Sequence, residues 1–261
     1  MSTKVEIDVP RKGSAADGPS CDSELPPPPL PAGWYICCKP VLDFVLALVL
    51  FIVAAPLILV SGLLMKLTSR GSMLYCQVRV GKGGRLFTLY KIRTMVQDAE
   101  KHSGVQWSKP GDKRITRVGA FLRRTHLDEL PQLWNVLMGD MSLVGPRPER
   151  PEFTPGLAEA VPHYRDRLAV LPGVTGLAQV QLPPDTNLAS VRRKLAYDLY
   201  YIRHLNGWLD FRLIACTALR MFGVPFHRLT GLFFLPNRDS VELAYRARAQ
   251  AAEAIAELES A

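Results

Sequence analysis

The chain has little of what ordinarily announces a metal, redox or nucleotide centre. Its five cysteines, Cys21, Cys37, Cys38, Cys76 and Cys216, are odd in number and scattered. No Cys-x-x-Cys pair or histidine at zinc-ligand spacing accompanies them, so free thiols in a reducing compartment are the simplest reading. There is no Walker-type phosphate loop, because Gly81-Lys82-Gly83-Gly84 lacks the required spacing and reads as a plain turn. No nucleic-acid module is recognisable either. The net charge of +8, from 32 Lys and Arg against 24 Asp and Glu, favours anionic partners, but the cations are dispersed around carboxylates and nucleic acid is not expected. A cleavable signal peptide is not expected: the apolar segment starts far from Met1, is too long, and is followed by Lys66 and Arg70 instead of small residues.

What is there suffices for one domain with appendages, since 48% of 261 residues are hydrophobic. Residues 1–33 end in Leu25-Pro26-Pro27-Pro28-Pro29-Leu30-Pro31 and read as a disordered, extended tail that serves as a spacer or, less commonly, a proline-rich ligand. From Val41 to Leu64 runs a single apolar stretch whose only charge is Asp43, long enough to anchor the chain in a bilayer. Pro56 removes a backbone donor within it and predicts a kink. Basic residues flank both ends, Lys39 before and Lys66, Arg70, Arg79, Lys82 and Arg85 after. A re-entrant helix over 34–70 that returns to the cytoplasmic face fits both features, and one bent bitopic helix is the alternative. A catalytic domain is then expected over 71–222 and a partly helical extension over 223–261.

Alternating residues from Leu74 to Thr88 predict a β-hairpin around the glycine turn. Lys91 and Arg93 follow, and by themselves read equally as the outward face of a strand. Residues Gly104 to Asp112 read as a loop. A helix is expected over Val118–Arg124, and Asp128 is expected to cap the next one, with Pro131 at its third position. In that reading Asp128 and Glu129 lie at the positive end of a helix dipole. Nearby arginines are expected to hold the carboxylates ionised. Arg147 is fixed between Pro146 and Pro148. Further on, Val191, Leu195, Leu199 and Ile202 line one helical face among basic and tyrosine residues. That is the pattern of an interfacial helix, and Trp208, Leu209, Phe211, Leu213 and Ile214 after it suit headgroup depth and a core helix alike.

The segment Phe121-Leu122-Arg123-Arg124-Thr125-His126-Leu127-Asp128-Glu129-Leu130-Pro131-Gln132-Leu133-Trp134-Asn135-Val136-Leu137 closely resembles the bacterial sugar transferases, the monotopic polyprenyl-phosphate phosphoglycosyl transferases. So do Gly139-Asp140-Met141-Ser142-Leu143-Val144-Gly145-Pro146-Arg147-Pro148-Glu149, upstream Phe87 to Met95, and downstream Pro172 to Val180. The resemblance spans roughly residues 35 to 220.

It implies a mainly α fold with a small β-hairpin, a kinked re-entrant membrane helix broken at Pro56, and interfacial amphipathic helices. It implies an enzyme in which Asp128 is the nucleophile toward the β-phosphorus of a UDP-sugar. UMP leaves, and a polyprenyl phosphate such as undecaprenyl phosphate takes the sugar-phosphoryl group from Asp128. Such a reaction starts lipid-linked exopolysaccharide, O-antigen or glycoconjugate assembly at the cytoplasmic face of the bacterial inner membrane. By resemblance Mg2+ is the cofactor, with Asp128 and Glu129 as its carboxylates, and Lys91, Arg93, Arg123 and Arg147 hold phosphate oxygens. Two departures stand out. Ala55 rather than Ser precedes Pro56, and Gln181-Leu182-Pro183-Pro184-Asp185-Thr186-Asn187 replaces a loop associated with the sugar. The sugar and the state of association, homo-oligomer included, stay open, and a noncatalytic membrane scaffold for glycan-assembly enzymes is the competing function.

Overall fold

A computed structural model describes residues 30–247 apart from 32, 100–110, 186, 222 and 225. The proline-rich tail, most of the loop expected over 104–112 and the last stretch of the extension therefore fall outside the described residues. The rest is mostly helical.

Helix α1 (Trp34–Thr68) is one helix of 35 residues that continues through both Pro40 and Pro56. Its buried positions are Asp43, Ala47, Ala54, Ser61, Gly62 and Met65. That spacing, largely in steps of four and seven, is one face of a helix. Most of those residues are small, so the protein approaches α1 closely along nearly its whole length. The other faces carry Val41, Val45, Ile52, Val53, Leu59, Val60 and Leu67, all more than half exposed. By length and composition α1 could cross a membrane.

The expected hairpin forms from β1 (Leu74–Val80) and β2 (Leu86–Ile92), antiparallel from the Leu74–Ile92 pair to the Val80–Leu86 pair. Lys82–Gly84 makes a single 3-10 turn, with Gly83 and Gly84 at φ 62° and 81°. Only glycine enters that region without strain, which explains the pair. Helices α2 (Arg117–Thr125) and α3 (Gln132–Leu137) come next. Strand β3 (Ser142–Val144) then pairs in parallel with β4 (Gly173–Thr175), on either side of α4 (Thr154–Ala160) in sequence. This second ladder is not legible as strand, since each member has three residues. Its glycines explain the close approach: a Cβ at Gly173 would lie 2.0 Å from the Gly145 amide nitrogen.

Helices α5 (Leu177–Gln181), α6 (Leu188–Arg203), α7 (Gly207–Met221) and α8 (Phe226–Leu232) complete the domain, with a further helical run over 238–247. Val191, Leu195, Leu199 and Ile202 are all buried, together with Ala196, Tyr197, Asp198 and Tyr201. The interfacial reading of α6 is thus corrected: so wide a face is buried in protein that α6 is a core helix. On α7 the expected stripe divides. Leu209 and Leu213 are buried while Trp208 and Phe211 are 65% and 56% exposed. The segment after 222 joins the same core through Leu229, Leu235 and Val241. A smaller cluster of Met65, Ile92 and Leu122 seats the end of α1 on β2 and α2.

Candidate active site

Helix α2 starts on a side-chain cap, with the Thr116 hydroxyl accepting from the Gly119 amide at 2.9 Å. It stops at His126, which takes the left-handed conformation at φ 58° and whose amide donates back to Arg123 and Leu122 carbonyls. Leu127–Glu129 then form a 3-10 turn, and Pro131 is the cap of α3. The expectation that Asp128 caps a helix is corrected accordingly. Both acids lie in an elbow between α2 and α3. The reversal at His126 ends one helix early, and the missing donor of Pro131 is absorbed at the start of the next.

The elbow is held against the hairpin by one buried side chain. Asn135 donates from Nδ2 to the Thr88 carbonyl at 2.7 Å and accepts from the Tyr90 amide at 3.2 Å. These two bonds fix α3 along β2 and bring Lys91 to Glu129. Lys91 Nζ donates to Glu129 Oε1 at 2.8 Å, and Arg147 Nη2 donates to the same oxygen at 2.7 Å. Burial disfavours the charge on Glu129, but Arg147 and Lys91 outweigh it and hold the carboxyl well below its ordinary value. Arg147 is correspondingly raised, mainly by Glu129, and Lys91 is lowered by burial despite Glu129.

Asp128 differs. It is buried at 7% exposure, yet makes no hydrogen bond or ion pair among the described residues. Burial and then the neighbouring Glu129 charge raise its pKa, while Lys91, Arg123 and Arg147 only offset this. The neighbouring cations therefore lower Glu129 as expected, but at Asp128 burial and the Glu129 charge outweigh them and the shift is upward. Glu129 has taken the two nearest cations, and its own charge opposes a second one beside it.

Arg123 flanks the elbow. Its Nε donates to the Thr94 hydroxyl at 2.8 Å, and it feels the charges of Asp128, Asp112 and Glu129. Arg93 points elsewhere, with its guanidinium donating to the Ser69 and Arg70 carbonyls at the end of α1. Pro56 lies on the exposed side of α1. The structure thus gathers Asp128, Glu129, Lys91 and Arg147, sets Arg123 on their edge, and leaves Arg93 and Pro56 out of that group.

The family model of the bacterial sugar transferases matches residues 34–224. The chain belongs to that family. It is 42% identical over 185 residues to a UDP-N-acetylgalactosamine-undecaprenyl-phosphate N-acetylgalactosaminephosphotransferase of Aeromonas hydrophila, covering 71% of this chain and 44% of that protein. It is 39% identical over 192 residues to a UDP-glucose:undecaprenyl-phosphate glucose-1-phosphate transferase of Xanthomonas campestris pv. campestris, covering 73% and 40%. It is also 42% identical over 186 residues to the exopolysaccharide production protein PSS of Rhizobium leguminosarum bv. phaseoli, covering 69% and 93%. The chain spans less than half the length of the first two relatives and nearly all of the third.

In this member of the family the loop that aims Arg147 is clamped by residues that sequence reasoning missed. Arg167 Nη2 donates to the Arg147 carbonyl at 2.8 Å, and Arg79 Nη1 donates to the Pro148 carbonyl at 3.0 Å. The Val80 amide donates to the Glu149 carbonyl at 2.9 Å, and the Gly173 amide to that of Pro146 at 2.9 Å. Arg167 is itself paired with Asp198 at 2.7 Å, with both side chains under 5% exposed. Lys194 joins Glu149 at 3.4 Å to Asp185 at 2.5 Å, so the loop at 181–187 is tied to the Pro-Arg-Pro turn. Behind Arg147 lies a cavity of about 10 Å3, lined in part by Gly81, Glu149 and Arg167, which is room for one water and not for a nucleotide. Burial lowers the pKa of Arg79 to about 10. The only sequence signal for the clamp is the run of charges on a helix whose apolar face is broad enough to be buried.

Proposed function

We propose that the chain transfers a sugar-1-phosphate from a UDP-sugar to a polyprenyl phosphate, with Asp128 as a covalent relay. The observation that carries this reading is the division of labour between the two acids. Glu129 holds both Lys91 and Arg147 on one oxygen, whereas the adjacent, buried Asp128 makes no hydrogen bond or ion pair among the described residues. An Asp128 oxygen attacks the β-phosphorus, and the bond from that phosphorus to the bridging oxygen breaks. UMP leaves with the electron pair. A phosphate oxygen of the polyprenyl phosphate then attacks the same phosphorus and frees the Asp128 carboxylate, giving polyprenyl-diphospho-sugar. Splitting the exchange into two steps lets each acceptor occupy the site in turn. Lys91 and Arg147 stand where charge builds on the transferred phosphoryl group, and their positions are set in advance by Glu129 and by the clamped loop.

The acids also suit a magnesium ion. Among the described residues no group of three or more His, Cys, Asp and Glu stands together. Mg2+ does not need one, because it takes one or two carboxylates and completes its shell with substrate phosphates and water. Asp128 and the second oxygen of Glu129, which neither cation engages, are the donors available to it. Bound there, it supplies neutralisation of phosphate charge.

Monotopic insertion from the cytoplasmic face is part of the proposal. Its support is that both ends of α1 are seated on the same domain. Near the start, Lys39 Nζ pairs with Asp210 of α7 at 2.5 Å, and at the far end Met65 is fully buried against β2 and α2. A helix crossing the bilayer would carry those ends to opposite sides. Insertion from one face, with both ends of α1 held on the domain, keeps the elbow at the surface where a polyprenyl phosphate presents its headgroup. The assay is UMP release from a panel of UDP-sugars by the purified protein with Mg2+ and polyprenyl phosphate. Release confined to one donor and lost in Asp128→Asn is expected, and equal release by that variant would overturn the assignment.

A further inference from the structure

The start of α7, the turn after α8 and the start of α1 form one aromatic patch that the reaction does not use. Trp34, Trp208, Leu232 and Phe234 are 73%, 65%, 65% and 85% exposed. They are linked through named contacts. Trp34 lies edge-on to Tyr35 at 6.0 Å, and the Tyr35 ring packs against Gly207, where a Cβ would come within 2.9 Å. Next to Gly207, Trp208 stacks on Phe211 at 5.5 Å. The Arg212 guanidinium stands 5.9 Å from the Trp208 ring centre and donates to the carbonyls of Phe233 at 3.2 Å and Phe234 at 2.8 Å.

Phe234 itself has φ 46°. A large side chain in that region is strained and persists only where its surroundings hold it. Here Arg212 grips both carbonyls, and the flanking Leu229 and Leu235 are buried. The result is a rigid turn that presents its most exposed ring to the outside. Resting on the membrane-bound reading above, we propose that the Leu232–Phe234 turn is a wedge inserted at the lipid headgroup boundary, beside the point where α1 enters. The turn lies beyond residues 34–224, the span matched by the family.

Three features select lipid as the occupant. The patch is continuous with Trp34, the first residue of the apolar helix α1. Its composition, tryptophan and phenylalanine around an arginine, is that of side chains that favour the boundary between hydrocarbon and water. Arg212 lies within it with the sign of charge that an anionic headgroup attracts.

The test uses the full chain with Cys21, Cys37, Cys38 and Cys76 replaced by Ser, carrying one polarity-sensitive fluorophore at Phe234→Cys, Leu232→Cys or Glu159→Cys. Each is reconstituted in phosphatidylethanolamine and phosphatidylglycerol vesicles. Positions 234 and 232 are expected to shift to the blue and to lose most of their emission to a nitroxide carried on the shallow acyl chain, with iodide having little effect. Position 159, on the exposed side of α4, is expected to behave oppositely. If iodide quenches 234 and 232 as it quenches 159 while the protein remains on the vesicles, the wedge is overturned. Shielding from both quenchers that weakens as protein is diluted in the membrane would assign the patch to a second copy and also overturn it. Failure of the chain to float with vesicles would instead remove the membrane reading beneath the proposal. Two labelled positions guard against one variant that fails to fold.

Discussion

Replacing Arg167 with Met tests whether the buried clamp behind Arg147 is structural, functional or both. Arg167 is 5% exposed, is paired with Asp198, and donates to the Tyr164 hydroxyl and the Arg147 carbonyl. Without it, Asp198 is a buried carboxylate whose pKa burial already raises. Removing one partner of a buried pair costs about 3 to 5 kcal/mol, because the other charge stays desolvated. At roughly 2 to 4 °C per kcal/mol for a chain of this size, Tm falls by roughly 6 to 20 °C. The sign with pH follows. An acid with a raised folded pKa penalises the fold in its charged form, and loss of Arg167 raises it further. The deficit is therefore largest at neutral pH and above, and shrinks as acid protonates Asp198. Replacing both members of a buried ion pair by apolar side chains removes the desolvation cost together with the attraction, so joint replacement costs little. Arg167→Met with Asp198→Leu is expected to recover most of the stability. It leaves the Arg147 carbonyl unclamped, so transfer stays slow. Thermal unfolding in detergent across pH, with kcat measured on the same samples, separates the two. A shift in Tm within about 2 °C for the single variant, less than 1 kcal/mol, refutes the reasoning.

Other outcomes follow from the same contacts. Lys91→Met is expected to lower kcat by about 100- to 1000-fold, the cost of losing one preorganised donor, with little change in KM for the UDP-sugar, as read by steady-state kinetics. Met65→Ala opens a cavity under the end of α1 and is expected to cost about 2 to 5 kcal/mol in unfolding measurements. Gly119→Ala puts a methyl group 1.9 Å from the Thr94 carbonyl oxygen, so α2 must shift, and a loss of about 1 to 3 kcal/mol is expected. For pH, burial would raise Glu149, but Lys194, Arg167 and Arg79 draw it below its ordinary 4.5. Its contribution is present above that value and is lost as pH falls through the lower folded one. Glu149→Gln should therefore be less stable at neutral pH and lose less on acidification, as seen in Tm against pH.

Much of the fold is legible in the sequence where the signal is periodic. The apolar run of α1, the alternation of the hairpin and the helix before the acids all appear within a few residues of their expected bounds. Where sequence reasoning stops, the reason is specific. Asp128 sits in a 3-10 turn because His126 adopts a left-handed conformation, and histidine enters that region too seldom for the residue to signal it. The stripe of α6 reads as interfacial in sequence, and only the burial of so wide a face, Asp198 included, decides for core. The ladder of β3 and β4 has too few residues to show a period and is visible only as glycines at close approach. Asp128, Glu129, Lys91 and Arg147 were named from motifs. Their unequal roles depend on which carboxylate oxygen receives the two cations, a matter of distance that spacing cannot express.

The central claim is that Asp128 carries the sugar-phosphoryl group between donor and acceptor. It is tested most directly by mixing the protein with its UDP-sugar and Mg2+ while withholding polyprenyl phosphate, then measuring UMP and the intact mass of the protein together. The account predicts one equivalent of UMP and a gain of one sugar-phosphate, located to the peptide containing Asp128, absent in Asp128→Asn and discharged on adding polyprenyl phosphate. No UMP and no mass gain until the acceptor arrives, in protein that then turns over, would contradict it and require direct transfer between the two substrates.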